Sequence, residues 1–484
     1  MVLGITIVGL GPGDPGQITR EAWQVLEGAG EVYLRTSRHP SVPALPAQPR
    51  YHSFDDAYER HEQFADVYEE ITTRLLALAR RPQGVVYAVP GHPLVGETTV
   101  QEVLARALAE GLPARVVAGV SFVEPVLTAL RLDPFDGLQI ADATILAHQH
   151  HPNLDPDVGA LVVQLYDRRV AADVKLTLMS LYHDDHPVTL VRAAGTANEV
   201  VRHLPLYELD RQEDLDHLTS VYVPPLDRPG SLASYQNIVA ALRAPGGCPW
   251  DREQTHATLR THLLEEAYEV LAALDADDMD DLQEELGDLL LQIFLHAQIA
   301  NEDGDFKLVD SVQQVIEKLV RRHPHVFSTE TVADSEEVLR NWERIKRQER
   351  AEQGETFRSL LAGVSLSLPA LSRALEVQRR VARVGFDWPA LGLVRAKLSE
   401  ELGEFDAAAD DDRRAAELGD LLFTVVNLAR WYELDPESIL RQTVQRFSNR
   451  FAAIERHAAQ VGRPLEEMSL EEMDALWEQA KNAE

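Results

Sequence analysis

The sequence predicts a multidomain protein in which an α/β N-terminal part is followed by an all-α C-terminal part. In the first part, short apolar runs such as residues 5–8, 85–89 and 160–163 alternate with glycine and proline turns and with amphipathic stretches, the alternation typical of α/β domains. Beyond residue 231 glycine and proline become rarer, and apolar residues recur with the helical period, as in residues 259–274 and 282–299. At about 100–200 residues per domain, the 484 residues suffice for roughly two to four domains.

Composition and charge exclude several classes of function. Hydrophobic residues make up 45% and charged residues 26% of the chain, as in ordinary globular proteins. The net charge of −33 argues against a nucleic-acid polymer as partner. We expect no membrane span, because no apolar run approaches the roughly 18 residues required. The single cysteine, Cys248, favours a reducing cytoplasm, and residues 1–14 predict a first strand rather than a signal peptide.

Three glycine-rich turns follow predicted strands of the N-terminal part. They comprise residues 9–14 (Gly-Leu-Gly-Pro-Gly-Asp), 90–93 (Pro-Gly-His-Pro) and 117–121 (Val-Ala-Gly-Val-Ser). Ligands of α/β proteins bind at the carboxyl ends of strands, so a small-molecule site is expected there. Any one of these segments alone could be only a tight turn. The spacing in residues 9–14 differs from the dinucleotide-binding pattern, and a Walker phosphate loop is absent from the sequence.

Residues 1–226 resemble the tetrapyrrole-methylase-type methyltransferases, on the segments 9–14, 90–93 and 181–187. The resemblance implies that this part binds S-adenosylmethionine. The implied cofactor-binding residues are Gly9, Gly11, Gly13, Asp14, Pro90, Gly91, His92, Pro93, Gly119 and Ser121. Two departures make cofactor binding a better-supported expectation than any particular methylation. The second predicted strand, in residues 31–36, is not followed by the acidic residue that those enzymes often carry there. His92 stands where many relatives have the aspartate of a Gly-Asp-Pro turn. His148, His150 and His151 are assigned to a surface loop without a ligand role.

The C-terminal part contains an internal repeat that predicts two related helical modules, residues 232–362 and 363–484, after a linker at 227–231. The hexapeptide Glu-Leu-Gly-Asp-Leu-Leu occurs at 285–290 and again at 417–422. Each copy is preceded by Glu-Glu-x-x-Glu, at 265–269 and 400–404. Repetition in matching context indicates duplicated supersecondary units. The Glu-rich residues 329–357 predict a solvated helix and connection between the modules.

The spacing of these motifs brings carboxylates together. Glutamates at i and i+3 share one helix face, and a short connection makes successive helices antiparallel neighbours. The expected clusters are Glu266, Glu269, Glu285 and Asp288 in the first module and Glu401, Glu404, Glu417 and Asp420 in the second. The helices that contain Asp288 and Asp420 continue after these residues with apolar side chains nearly all round, so we expect these two helices to be buried. Carboxylates beside such a core require a cation, and Mg²⁺ prefers oxygen ligands. Solvated acidic faces are the alternative.

Basic residues downstream of each cluster are candidates for phosphate binding. Lys318 and Arg322 follow the first cluster, and Arg446 and Arg450 occupy matching places after the second. Arginine and lysine can hold a triphosphate and neutralise developing charge, although basic helix residues are often only solvated. Lys397 precedes Glu401 by four residues, where the first module has His262. A neutral imidazole binds phosphate less well than an ammonium group at pH 7, so the second module is the predicted active copy.

Residues 232–484 resemble MazG-type nucleoside triphosphate pyrophosphohydrolases. The resemblance rests on residues 247–251, 321–327 and 384–388 and on both sets of acidic motifs; with the N-terminal part, the chain resembles a YabN-like fusion. The resemblance to MazG-type enzymes implies Mg²⁺-dependent cleavage of a nucleoside triphosphate to the monophosphate and pyrophosphate, in a homodimer. By position, the implied metal ligands are Glu401, Glu404, Glu417 and Asp420, and the implied phosphate contacts are Lys397, Arg446 and Arg450.

Two alternatives for the N-terminal part remain open. Methylation of a small substrate could be the main activity, with the helical part accessory. The N-terminal part could instead be a non-catalytic sensor that binds S-adenosylmethionine or a similar ligand and regulates the hydrolase. The preferred base and sugar leave no short motif in the sequence.

Overall fold

The structure, a computed structural model, describes residues 4–61, 63–352 and 359–482. The chain divides into two compact units, Met1–Ile238 and Val239–Glu484. The start of the predicted first strand (residues 1–3) and the end of the predicted solvated segment (353–357) lie outside the described residues. The predicted fold class, an α/β part followed by helices, is confirmed.

The first half of the N-terminal unit is a parallel sheet with strand order β3-β2-β4-β1-β5. Two of its strands, at residues 5–9 and 85–89, are rich in valine or isoleucine and are largely buried, as expected in a parallel sheet covered by helices. The strands are β1 Ile5–Gly9, β2 Glu31–Leu34, β3 Arg50–Ser53, β4 Val85–Val89 and β5 Ala114–Val117; the helices are α1 Arg20–Glu27, α2 Asp55–Arg60, α3 Phe64–Ala79, α4 Thr98–Ala109 and α5 Val123–Leu130.

The second half of this unit is a separate five-stranded sheet with order β6-β7-β10-β8-β9. Its β6–β7 pair is parallel, whereas its other pairs are antiparallel. Short apolar runs predicted strands here without indicating that they form a second sheet. The elements are β6 Leu138–Asp142, α6 Ala143–Leu146, β7 Gly159–Val163, α7 Arg168–Leu178, β8 Pro187–Arg192, β9 Val200–Pro205 and β10 Thr219–Val223.

The rest of the described chain is helical, and it contains two helical hairpins, α10–α11 and α16–α17. The helices are α8 Leu232–Arg243, α9 Pro249–Glu253, α10 Arg260–Ala276, α11 Met279–Asp303, α12 Leu308–Arg322, α13 Pro324–Phe327, α14 Ser335–Glu352, α15 Ala370–Ala382, α16 Leu391–Ala407, α17 Asp411–Trp431, α18 Pro436–Val461 and α19 Leu470–Asn482. Short connections, residues 277–278 and 408–410, fold each hairpin back on itself. Arg441 of α18 pairs with Asp275 of α10 at 2.6 Å and joins the two modules.

The predicted linker is held against the N-terminal unit. The backbone N–H groups of Gly230 and Ser231 donate to the Asp157 carboxylate at 2.8 and 3.1 Å. Although desolvation opposes the shift, hydrogen bonds from Ser234, Gly230 and Ser231 lower the pKa of Asp157 to about 2. Helix α8 then begins at Leu232. The domain boundaries at 226 and 362 stay predictions.

The expectation that α11 and α17 are buried all round is wrong for the single chain. Leu286, Leu290 and Ile293 of α11 are 46%, 36% and 44% exposed, while Phe294 and Leu295 are buried. At the equivalent positions of α17, Leu418, Leu422 and Val425 are 43%, 50% and 43% exposed. Each hairpin covers one side of its helix, and the residues at i, i+4 and i+7 form an apolar stripe on another side. We call these two sets of three residues the apolar stripes.

Candidate active site

The second hairpin brings together three of the four predicted carboxylates. Glu401 lies on α16, and Glu417 and Asp420 lie one turn apart on α17. Their carboxylate oxygens lie within 4.8 Å of one another. The hairpin connection sets this arrangement, because the Asp410 side chain accepts a hydrogen bond from the Arg413 N–H and thereby begins α17.

Glu401 combines a buried position with an unsatisfied oxygen. The residue is 4% exposed, and one oxygen, Oε1, lies 2.7 Å from Nζ of Lys397. The other oxygen, Oε2, has no hydrogen-bond partner among the described residues. Hydrogen bonds to Glu400 and Glu401 raise the pKa of Lys397 further above its ordinary value. Lys397 is therefore a permanent positive charge at the edge of this cluster.

The first hairpin holds the equivalent trio Glu266, Glu285 and Asp288, whose oxygens also lie within 4.8 Å of one another. Burial, and then the charges of Asp288 and Glu269, raise the pKa of Glu266. Partial desolvation, and then neighbouring carboxylates led by Glu269, raise the pKa of Glu285. Mutual repulsion of this kind is relieved by a proton or by a cation.

The position of Lys397 has a different occupant in the first hairpin. Nδ1 of His262 lies 3.2 Å from a carboxylate oxygen of Glu265, the residue before Glu266. The partner of Glu266 is Gln292, whose Nε2 donates to its Oε1 at 3.4 Å. The first trio therefore has a neutral amide where the second has an ammonium group.

The remaining predicted residues lie around these trios. Glu269 and Glu404 are exposed and fall outside the two groups of three, although Glu269 acts electrostatically on the first. Lys318 is half-buried on α12. Arg446 donates to Thr443 of its own helix at 3.0 Å, and the Arg450 guanidinium lies 5.4 Å from the ring centroid of Trp477. Their predicted roles stay predictions.

Arg322 of the first module already has a carboxylate partner. It pairs with Glu349 of α14 at 2.7 Å, as does Arg321. Hydrogen bonds from these two arginines, Arg322 first, lower the pKa of Glu349 to about 2. A phosphate group at Arg322 would have to compete with this carboxylate.

Both trios suit a hard divalent cation. Carboxylate oxygens are the ligands that Mg²⁺ prefers. A buried oxygen without a partner, such as Oε2 of Glu401, is costly unless a cation or a donor satisfies it.

The three glycine-rich turns of the N-terminal unit meet at the ends of β1, β4 and β5. Gly11 and Gly91 pair through their backbones, with the Gly91 N–H donating to the Gly11 carbonyl at 2.8 Å. A Cβ atom at Gly9 or Gly119 would lie 2.5 or 2.3 Å from the Gly91 carbonyl oxygen. Glycine at 9 and 119 is therefore required by the close approach of the turns themselves.

The polar side chains of these turns serve local hydrogen bonds. Asp14 accepts from the Gly16 N–H at 2.7 Å, and the Ser121 hydroxyl accepts from the Val123 N–H at 3.0 Å. Nδ1 of His92 accepts from the Leu94 N–H at 3.1 Å. Gly11, Gly13 and Gly91 have positive φ angles, of 73°, 149° and 63°.

A cavity of about 1080 Å³ lies beside these turns, between the two sheets of the N-terminal unit. Of the predicted cofactor residues, Pro90 and Gly91 line it. Its most buried charged group is Glu97, 5% exposed, which pairs with Arg35, while Arg35 Nε donates to the Tyr58 hydroxyl at 2.9 Å. Burial raises the pKa of Glu97 to about 7 against the opposing effect of Arg35. The sequence analysis did not find this pair. The available sign was a charged residue directly after β2 (Arg35) and another directly before α4 (Glu97).

Comparison with known proteins assigns families to both halves. The family model for tetrapyrrole (corrin/porphyrin) methylases matches residues 4–210. The model for the MazG nucleotide pyrophosphohydrolase domain matches residues 254–327, which contain the first carboxylate trio. YabN of Bacillus subtilis (strain 168), an uncharacterized protein, is 44% identical over 489 residues, which cover 99% of this chain and 99% of YabN.

The chain belongs to the YabN family. This YabN-family chain is also 45% identical over 253 residues to a nucleoside triphosphate pyrophosphohydrolase of Escherichia coli (strain K12), covering 51% of this chain and 95% of that protein. The nucleoside triphosphate pyrophosphohydrolase/pyrophosphatase MazG of Thermotoga maritima is 42% identical over 248 residues, covering 51% of this chain and 94% of that protein. Among the described residues, no helix combines the length and apolar character needed to cross a membrane.

Proposed function

We propose that the chain is a Mg²⁺-dependent nucleoside triphosphate pyrophosphohydrolase, which releases a nucleoside monophosphate and pyrophosphate. The observation that carries the proposal is the trio Glu401, Glu417 and Asp420, with its oxygens within 4.8 Å and Lys397 at 2.7 Å from Glu401. Two pyrophosphohydrolases, 45% and 42% identical over half of this chain, support the reaction type.

The second module is the proposed active copy. Lys397 gives its trio a positive charge that the first trio lacks, because His262 pairs with Glu265. Arg322 of the first module is held by Glu349. A triphosphate carries up to about four negative charges, so an ammonium group beside the trio favours its binding over a neutral amide.

Each group of the second module has a distinct task in this proposal. Glu401, Glu417 and Asp420 would hold Mg²⁺, and Glu404, one turn after Glu401 on the same helix, is a further candidate ligand. When bound, Mg²⁺ polarises a phosphoryl oxygen and lowers the pKa of a bound water. Lys397, Arg446 and Arg450 bind the phosphates and balance the charge that develops on them. The buried Oε2 of Glu401 has no hydrogen-bond partner among the described residues, and a bound cation would satisfy it.

The N-terminal unit is proposed to bind S-adenosylmethionine beside the turns at Gly9–Asp14 and Pro90–Pro93. The family match over residues 4–210 and the adjoining cavity support this. Coupling between S-adenosylmethionine binding and hydrolysis would mark the unit as a sensor, whereas methyl transfer would mark it as a second enzyme.

A cytoplasmic homodimer is the proposed form of the protein. The two apolar stripes lie at equivalent positions of α11 and α17 and stay exposed in the single chain, as expected of surfaces that a second copy covers. The single cysteine and the nucleotide substrate fit a reducing cytoplasm.

A product assay tests the reaction. Purified protein is incubated with a panel of nucleoside triphosphates, with Mg²⁺ or with a chelator, and pyrophosphate and orthophosphate are measured separately. We expect one pyrophosphate per monophosphate, and none with the chelator. Stoichiometric orthophosphate and diphosphate, without a contaminating pyrophosphatase, would overturn the proposal.

Matched substitutions identify the active copy. Glu401→Gln and Glu266→Gln each remove one negative charge from equivalent trios at nearly constant volume. We expect Glu401→Gln to lower kcat by about a hundredfold or more and Glu266→Gln to change it less than about threefold. The reverse pattern would place the chemistry in the first module, and equal partial losses would mean that both copies work.

A further inference from the structure

The charges that line the N-terminal cavity are unsuited to an acidic ligand. Of its two arginines, Arg35 is held by the buried Glu97, and the exposed Arg38 lies 3.8 Å from the exposed Glu59. Asp55 accepts hydrogen bonds from the Thr36 and Ser37 hydroxyls, which lower its pKa to about 2 against the effect of desolvation. The Asp55 carboxylate is therefore charged at neutral pH and has no arginine partner among the described residues.

A second aspartate and two histidines complete the polar lining. Asp142 accepts from the Thr144 N–H at 2.8 Å and likewise has no arginine partner within the described part of the chain. Burial lowers the pKa of His39 to about 4, so its ring is neutral, and His217 is exposed. The charges of Arg35 and Arg38 are balanced by those of Glu97 and Glu59. The carboxylates of Asp55 and Asp142 remain, so the lining carries an excess of negative charge.

Glu97 supplies an acceptor that the protein leaves unused. Its side chain is 3% exposed, and its Oε1 pairs with Arg35. Its other oxygen, Oε2, is buried and has no hydrogen-bond partner among the described residues. Buried carboxylate oxygens in native proteins almost always accept a hydrogen bond, so a donor from a ligand is the missing partner.

The backbone of the cavity wall is also held in an unusual conformation. Five non-glycine residues of the described chain have positive φ angles. Arg131, Asp277 and Glu433 follow the ends of helices, where this conformation is common. Gln164 and Ala193, with φ of 63° and 52°, instead line the cavity. Strain that the fold maintains away from helix ends is typical of ligand sites.

We infer that this cavity binds a small, uncharged or cationic molecule with an aromatic or apolar skeleton, which donates a hydrogen bond to Oε2 of Glu97. Tyr58, Tyr68 and Phe64 supply aromatic surface for such a skeleton. A polycarboxylate would face the carboxylates of Asp55 and Asp142, and the buried arginine of the cavity, Arg35, is already held by Glu97. The inference goes beyond the proposed hydrolase and concerns which compounds the N-terminal unit accepts.

Three probes with one skeleton test the inference on the full chain. Tyramine carries an ammonium group, tyrosol a hydroxyl group and 3-(4-hydroxyphenyl)propionate a carboxylate on the same phenol and two-carbon chain. By isothermal titration calorimetry, we expect saturable binding of tyramine and tyrosol, with Kd of about 1 mM for ligands of this size. The propionate should bind at least about tenfold more weakly. Tyrosol separates the cavity's preference from general attraction of cations to a chain of net charge −33.

A variant locates the bound probe. Glu97→Gln should weaken tyramine binding about tenfold, because the ammonium group loses an anionic acceptor and keeps only a neutral amide oxygen, whereas Glu27→Gln on the exposed surface should change nothing. If Glu97→Gln fails to fold, because Arg35 loses its partner, the three probes decide. Propionate binding as tight as tyramine binding, no saturable binding of tyramine and tyrosol, or full binding to a folded Glu97→Gln variant would each overturn the inference. These measurements need neither hydrolysis nor S-adenosylmethionine, so they can fail separately from the proposed function.

Discussion

At the residue scale, Lys397 is the side chain that distinguishes the two carboxylate trios. Its ammonium group lies within hydrogen-bond distance of Glu400 and Glu401. It therefore neutralises part of the trio's charge, and on the proposed function it also binds the phosphates. The ammonium group therefore has opposite effects on the two ligands of the site. It attracts the phosphates of the nucleotide, and it repels Mg²⁺.

Lys397→Ala should separate these effects. We expect the KM for the nucleoside triphosphate to rise about tenfold through loss of a charge-assisted contact. The Mg²⁺ concentration for half-maximal activity, measured at saturating nucleotide, should stay constant or fall. His262→Ala is the matched control and should change neither quantity more than about twofold. A rise in the Mg²⁺ requirement of Lys397→Ala would show that the lysine shapes the metal site instead.

Two buried groups of the N-terminal unit should give opposite pH dependences of stability. The pKa of Glu97 rises from 4.5 to about 7 on folding, mainly by desolvation. Between these values the folded state keeps a proton that the unfolded chain releases, so raising the pH destabilises the unit. The pKa of His39 falls from 6.5 to about 4 by burial. Here the unfolded chain binds the extra proton, so raising the pH stabilises the unit.

Glu97→Gln should reveal the contribution of His39. In the unaltered chain the two effects offset each other between about pH 4.5 and 6.5. In the variant, the free energy of opening of β1 and β4 should increase by about 2–3 kcal/mol over this range. Hydrogen exchange with mass spectrometry localises the measurement to these strands. A flat profile in the variant would contradict the assignment, and His39→Gln should show the opposite slope.

At the scale of the elements, the meeting of β1, β4 and β5 depends on glycines with different tasks. A Cβ at Gly119 would lie 2.3 Å from the carbonyl oxygen of Gly91, which is backbone and cannot rotate away. At Gly91 nothing lies within 4 Å of a Cβ, but φ is 63°. Substitution at 119 therefore disturbs packing, whereas substitution at 91 costs only backbone strain.

Gly119→Ala should destabilise the N-terminal unit more than Gly91→Ala does. We expect about 1 kcal/mol for Gly91→Ala and about 3 kcal/mol or more for Gly119→Ala, measured by hydrogen exchange in β1, β4 and β5. Gly91→Val should also abolish S-adenosylmethionine binding in calorimetry while the strands stay protected. Equal losses at both glycines would show that the close approach in the structure is relaxed at little cost.

The elements also show which features a sequence can predict. The spacing of Glu401, Glu417 and Asp420 placed three carboxylates at one point, because helix period and a short connection fix their faces without further packing. The Arg35–Glu97 pair could not be found this way. It joins residues 62 positions apart, and their meeting depends on the strand order, in which β2 lies beside β4. The burial of α11 and α17 was mispredicted, because apolar periodicity does not say whether the covering partner belongs to the same chain.

At the scale of the whole molecule, the two apolar stripes provide matching surfaces on both helical modules. Leu290 and Leu422 occupy equivalent positions of the repeated hexapeptide and are 36% and 50% exposed. Exposed apolar residues at i, i+4 and i+7 on a helix form a continuous apolar strip, which a soluble protein normally covers. In the proposed homodimer, a second copy would cover both stripes at once.

We therefore expect the chain to sediment as a dimer at about 10 μM, and the double variant Leu290→Glu/Leu422→Glu to sediment as a folded monomer. A glutamate buried in each stripe would lack a partner and would cost more free energy than the contact supplies. Leu108→Glu is the matched control, because Leu108 is 83% exposed in the N-terminal unit; this variant should remain dimeric. Circular dichroism checks that the helices of the double variant persist. A monomer for the unaltered chain, or a dimer for the double variant, would show that the stripes are not the dimer interface.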